Sequence, residues 1–363
     1  MKIFLQAPDD GQYTYSNWKK GTFPGHFLYG ATHFKELGIE MVIRRHRTYR
    51  NRLMKALDGA RQILFCRERY DAVFATYHSG MAIPVMLRAI GLFRKRIVVW
   101  HHQPVIKSPK WWRERLGRIY YKGMDDVIFF SQKICDDSLK TGKVKPGRTH
   151  VVHWGADLCF YDRILKECRT DRPDNPDKTR RFISTGRELR DMPTLITAFN
   201  NTGLPLDIYA TYNHGGVRYP EVIAAQHPKE NIRVTFVEGY QQQKLCYRVA
   251  EALCVVICCQ ESNYTVGLTT LVEALALGKP IICSRNPQFP FDPGKEGCGI
   301  SVDYYDVKGW EEAVSYVYTH PVEAAAMGRR SRQLAEERYN DLICAGEVAA
   351  ILQKTCRQND RNK

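Results

Sequence analysis

Three groups of residues in this chain have the types and spacing to do chemistry. In ESNYTVGLTTLVEALALGKPIICS, residues 261–284, Gly267 would let a ligand approach the backbone, and the hydroxyls of Thr269 and Thr270 follow it. If a helix opens there, its first-turn amides and the dipole behind them attract an anion. Glu273 stands nearly two turns further in, set back from that tip. An anion at the tip with a hydroxyl-binding acid behind it suits a nucleoside diphosphate and its ribose. The second group is Arg187 and Arg190 in TGRELRDMPTLITAF. A guanidinium can hold two phosphate oxygens at once, although Asp191 could pair with Arg190 instead. The third group is imidazole: His101-His102, with His26 in Pro24-Gly25-His26. His26 reads either as a site residue or as a cap on a following helix.

These residues need elements to hold them. Leu268, Leu271, Val272, Leu275 and Ala276 recur at helical spacing, and Gly278-Lys279-Pro280 ends the helix. Residues 281–283 then read as a short buried strand. At the amino end, residues 2–7 predict a strand, 8–25 a polar loop, 27–37 a helix and 40–44 a second strand. That is the opening βαβ unit of a nucleotide-binding-type α/β fold. No G-x-G-x-x-G is present, so nothing supports a dinucleotide fingerprint. Residues 70–77 and 97–100 predict further strands, the latter ending in His101-His102. Ligands of open α/β sheets bind beyond the carboxyl ends of strands. Residues 182–187 begin a second strand series that continues at 206–210, 233–237 and 254–259.

A chain of 363 residues is long for one core, so two domains are expected: 1–165, a linker at 166–180, and 181–341. Residues 171–178 are polar with two prolines. The formal net charge of +15 is lopsided. Residues 1–163 carry 29 Lys and Arg against 14 Asp and Glu, whereas the rest carry 25 against 25. A basic half faces an anionic partner: a membrane surface, a phosphate-bearing acceptor or nucleic acid. In residues 107–122 four aromatics interleave with Lys and Arg, and Trp111, Trp112, Leu116, Ile119 and Tyr120 can share one helical side. That side could lie on anionic lipid, pack on the sheet, or bind single-stranded nucleic acid. No RNA-binding signature accompanies it. No apolar run approaches the roughly 20 residues of a membrane span. Twelve cysteines without a C-x-x-C pair read as a reduced, cytoplasmic chain. No metalloenzyme motif and no Asp-x-Asp spacing stands out.

GLTTLVEALALGKPII is similar to the donor-site helix of family 4 glycosyltransferases, which have the GT-B fold of two Rossmann-like domains facing each other across a cleft. HVVHWGADLCF, residues 150–160, resembles the segment ending that family's first domain. The resemblance implies a retaining transferase with a nucleotide-sugar co-substrate and no metal or other cofactor. It implies that Gly186, Arg187, Arg190, Gly267, Leu268, Thr269 and Thr270 meet the donor diphosphate and that Glu273 holds the ribose. Thr265 stands where the family often has a second glutamate on the transferred sugar. Gly239 and Tyr240 match the base-binding position, Gly25 and His26 a phosphate and acceptor loop, and His101 or His102 a histidine near the sugar. The last helix, about 342–363, would return to the first domain. The acceptor would be a glycan or a lipid-linked precursor, handled on the inner face of a membrane touched by Trp111 and Trp112. No nucleic acid partner is expected. A non-catalytic glycan-binding or scaffold relative, and a basic nucleic-acid-associated protein, are the other readings.

Overall fold

The computed structural model describes residues 1–7, 11–43, 51–78, 80–170, 180–238 and 242–360. The chain divides into two compact units, Met1–Trp154 with Asp341–Lys363, and Gly155–Asn340. The division falls at 154/155 rather than at 165, so the helix Leu158–Thr170 belongs to the second unit. The packing explains this. The Ala156 amide donates to the Tyr339 carbonyl at 3.0 Å, and a Cβ on Gly155 would sit 1.8 Å from the same carbonyl carbon. Of the linker expected at 166–180, residues 166–170 continue the helix Leu158–Thr170 and 171–179 lie outside the described residues.

The first unit is built on six parallel strands: β1 (Lys2–Gln6), β2 (Glu40–Ile43), β3 (Ala72–Ala75), β4 (Arg96–Trp100), β5 (Asp126–Phe129) and β6 (Thr149–Val151). Their order is β2-β1-β3-β4-β5-β6. Ile3 pairs with Met41 on one side and Ala72 on the other, so the order reverses between β1 and β3. Phe4, Val73, Ile97, Val99, Val127 and Phe129 form one face of the core with Met81, Val85 and Ile134. The helix Asp341–Asp360 is fastened here by three polar pairs: His33 with Asp341 (2.9 Å), His153 with Glu347 (2.7 Å), and the Thr355 hydroxyl donating to Asp126 (2.6 Å).

Two local expectations fail. Residues Gly11–Lys19, inside the expected loop, form a helix that buries only Gly11 and so carries no apolar periodicity. Residues 27–37 do not form one helix. Two 3-10 turns, Gly25–Leu28 and Ala31–His33, take its place, because Tyr29 ends the first turn in the left-handed region (φ 54°).

The second unit holds β7 (Phe182–Ser184), β8 (Leu206–Ala210), a short antiparallel hairpin of β9 (Asn213–His214) and β10 (Val217–Arg218), then β11 (Ile232–Phe236), β12 (Cys254–Ile257), β13 (Ile281–Ser284) and β14 (Gly299–Val302). The main sheet is parallel in the order β11-β8-β7-β12-β13-β14, the doubly wound arrangement. Phe182, Phe199, Leu206, Ile208, Val256, Ile282, Trp310 and Val314 fill one side of it. Strand order reverses between β7 and β12, and the loops after those two strands carry the residues considered next.

Candidate functional site

The loop after β12 ends in the helix Leu268–Ala276, whose apolar face is buried and whose Gly267 cap lies at φ 92°. A Cβ there would also come 2.7 Å from Ile257 Cγ2, so conformation and space both require glycine. Among the described residues no side chain caps this helix. The first-turn amides therefore have no acceptor within the helix, and the tip is positively polarised.

The loop after β7 brings Arg190 to that tip. Its side chain is only 4% exposed. Nε donates to the Thr185 carbonyl (3.0 Å), Nη1 to the Glu188 carbonyl (3.1 Å) and Cys259 Sγ (3.1 Å), and Nη2 to the Thr270 hydroxyl (3.2 Å). Each partner is neutral. Asp191 instead caps the helix Met192–Thr202 through the Thr194 amide, so the alternative Asp191–Arg190 pair does not form. Gly186 makes room, since a Cβ there would lie 1.9 Å from Arg190 Nη2. The two loops are strapped by amide bonds from Asp191 to Cys258 O (3.1 Å) and from Gln260 to Leu189 O (2.9 Å). Thr185 Oγ1 is buried and has no partner among the described residues. A buried cation with neutral hydrogen-bond partners, beside the first-turn amides of a helix, makes a cradle suited to an anion.

Gly186, Arg190, Gly267, Leu268, Thr269 and Thr270 are thus gathered at one sheet crevice, with Arg187 exposed on the same loop. Thr265 is buried just ahead of the tip, its carbonyl accepting from the Leu268 amide (3.1 Å). Glu273 lies deeper. Burial pushes its carboxyl up to about 8, against the opposing effect of the nearby Tyr161 phenol. Tyr161 lies on the helix Leu158–Thr170, more than a hundred positions earlier, and no local signal in the sequence connects the two. The Cys259 thiol touches Arg190. Gly239 and Tyr240 lie outside the described residues.

No family model matches the chain. A mannosyltransferase of Mycolicibacterium hassiacum, the MMP alpha-(1->4)-mannosyltransferase, is 22% identical over 327 residues, covering 82% of this chain and 74% of that protein. Among solved structures, sucrose-phosphate synthase from Thermosynechococcus elongatus superposes with a TM-score of 0.72 at 16% identity, covering 98% of this chain and 99% of that one. Anabaena HepE in complex with UDP and glucose superposes at 0.67 and 14% identity, covering 97% and 99%. The fold is GT-B, that of glycosyltransferases. In this GT-B chain the anion cradle occupies the switch point of the second sheet.

The first sheet ends differently. His101 follows β4, donates from Nδ1 to the Gln103 carbonyl (2.6 Å) and accepts at Nε2 from the Tyr121 hydroxyl (3.1 Å). His78, after β3, stacks on it at 4.8 Å. His102 donates from Nε2 to the Thr76 carbonyl (2.8 Å), which leaves Nδ1 as an acceptor. Burial takes His101 down to about 4 and His102 to about 3. Both stay neutral at neutral pH, and His102 alone of the pair keeps a ring nitrogen for an incoming hydroxyl. His26 is fully buried against Trp154, whose indole donates to its carbonyl (3.0 Å), and burial lowers its pKa to about 3. Gly25 is enclosed by Trp18 and Thr32. Both sit in packed surroundings.

The helix Trp111–Lys122 buries none of its residues completely. Trp111 (71% exposed), Trp112 (47%), Leu116 and Ile119 face outward, with Arg115 over the Trp111 ring and Arg113 over the Trp112 ring. Tyr120 does not share that face. It packs on the core with Tyr121. No helix among the described residues is long and apolar enough to cross a membrane.

Proposed function

We propose that the chain is a glycosyltransferase that moves a sugar from a nucleoside diphosphate sugar to a hydroxyl of a glycan or lipid-linked acceptor. The observation that carries this reading is the buried Arg190 guanidinium, hydrogen-bonded to neutral groups and donating to Thr270 in the first turn of the helix Leu268–Ala276. The departing diphosphate would take the first-turn amides, Arg190 and Arg187, so that negative charge developing on the leaving group meets fixed positive groups. Glu273 would accept from the ribose. The charge of the cradle supports transfer without a metal ion, and the similarity of residues 267–282 to family 4 enzymes supports retention of anomeric configuration. The neutral imidazoles of the first unit, His102 above all, suit an acceptor hydroxyl. The same likeness supports a cytoplasmic enzyme resting on the inner face of a membrane.

Incubation with a panel of nucleotide sugars, with and without EDTA, tests the reaction. Slow release of a nucleoside diphosphate from one of them, unchanged by EDTA, is expected; a chain inert toward all of them contradicts the proposal. The outward Trp111–Ile119 face, rimmed by arginines, supports a peripheral seat on anionic lipid. Replacing Trp111 and Trp112 with Ser should cut sedimentation with phosphatidylglycerol vesicles about tenfold or more. Undiminished sedimentation would remove the membrane from the account.

A further inference from the structure

Glu188 is a third charged residue on the loop after β7, and the reading above gives it no task. It lies between Arg187 and Arg190, and its side chain is exposed. Its carboxylate is not spent on either arginine. It accepts instead from the Tyr264 hydroxyl at 2.6 Å, a neutral donor. Tyr264 is anchored in turn, since its carbonyl accepts from the Val266 amide (2.8 Å), the Ser262 hydroxyl (3.0 Å) and the Asn286 amide nitrogen (3.0 Å). One end of the Glu188–Tyr264 link is therefore on the loop after β7 and the other on the loop leading to Gly267. It joins the two segments that form the cradle, and it holds a carboxylate at the rim of a cationic bed.

A carboxylate in that place repels phosphate. What it can accept is a hydrogen bond from a hydroxyl, and the hydroxyls nearest the diphosphate of a nucleotide sugar are those of the sugar itself. The Tyr264 bond occupies one carboxylate oxygen and fixes the direction of the other. Thr265, buried beside it, offers no acid. We propose that Glu188, oriented by Tyr264, is the residue that reads the hydroxyls of the sugar carried by the donor. The inference rests on the donor-site reading above.

The test separates the two. Titration calorimetry of wild type with UDP, GDP, UDP-glucose and GDP-mannose first finds the nucleotide sugar that binds. Glu188→Ala should then weaken that nucleotide sugar about tenfold, the scale of one hydrogen bond to a charged group. Binding of the matching free diphosphate should change less than about twofold. Glu188→Gln still accepts from Tyr264 and keeps the link between the loops, so a purely structural role leaves it like wild type. The proposal expects it to lose affinity for the sugar form alone. Tyr264→Phe should produce a smaller loss of the same kind. Equal losses for diphosphate and nucleotide sugar, or no loss in Glu188→Ala, would overturn the assignment while leaving the donor site intact. A wild type that binds none of the four ligands removes the donor site and the assignment together.

Discussion

The first unit half-buries two arginines around Asp125, near the amino ends of β4 and β5, and the second buries Arg190 beyond the carboxyl end of β7; the two units treat the charge in opposite ways. In the first, Arg88 grips Asp125 with two bonds (3.0 and 2.8 Å), Arg96 adds a third (2.6 Å) and the Ile97 amide a fourth (2.9 Å). Burial works against the Asp125 charge, but these donors outweigh it and keep the carboxyl below its ordinary value. In the second, Arg190 is more deeply buried, and its partners among the described residues are carbonyl, thiol and hydroxyl groups. A buried charge normally carries its counter-ion inside the fold. Where it does not, the counter-ion comes from outside. On the proposed function, the contrast separates an arginine that holds structure together from one placed to meet a ligand.

The sharpest way to test the first half is Asp125→Asn. It should destabilise the protein by about 3 kcal/mol or more in urea unfolding, because two arginines lose their anion, while UDP or GDP affinity stays put. An unfolding midpoint equal to wild type would erase the distinction. Gly267→Ala probes the other side. A left-handed backbone and a methyl 2.7 Å from Ile257 should cost about 2 kcal/mol and displace the tip. Affinity for the diphosphate should fall with it, and unchanged affinity would detach the tip from binding.

A smaller effect sharpens the comparison through pH. His26 and His102 have folded pKa values lowered to about 3 and His101 to about 4. The unfolded chain therefore binds more protons, and their contribution to stability is lost as pH falls from about 6.5 toward 3. Glu273, raised to about 8, works in the opposite direction. Between its ordinary carboxyl value and pH 8 the folded state holds the extra proton, so stability falls as pH rises across that window. Glu273→Gln should flatten the loss above pH 5 and leave the acid side alone. A variant that tracks wild type at every pH would show the carboxyl to be ionised in the folded state.

Much of the cradle is legible in the sequence because its parts are local. Gly267, Thr269, Thr270 and the Gly-Lys-Pro stop lie within one loop-helix-strand run, and Arg190 lies within a few residues of a strand end. What escapes depends on long-range contact. The Tyr161 phenol against Glu273, the Tyr264 hydroxyl on Glu188 and the Cys259 thiol on Arg190 join elements far apart in the chain. The helix Gly11–Lys19 escapes for another reason, since it buries too little to show a period. Tyr120 is misplaced because helical spacing puts it beside Leu116, whereas the core takes up the phenol ring.

Titration calorimetry of wild type and Arg190→Met with UDP and GDP tests the central claim most directly. Wild type should bind one of the diphosphates. The variant, still folded, should lose about tenfold, the worth of one hydrogen bond from a charged group. Equal binding by the two proteins, or a wild type that binds neither nucleotide, would mean that the buried guanidinium is not waiting for a pyrophosphate.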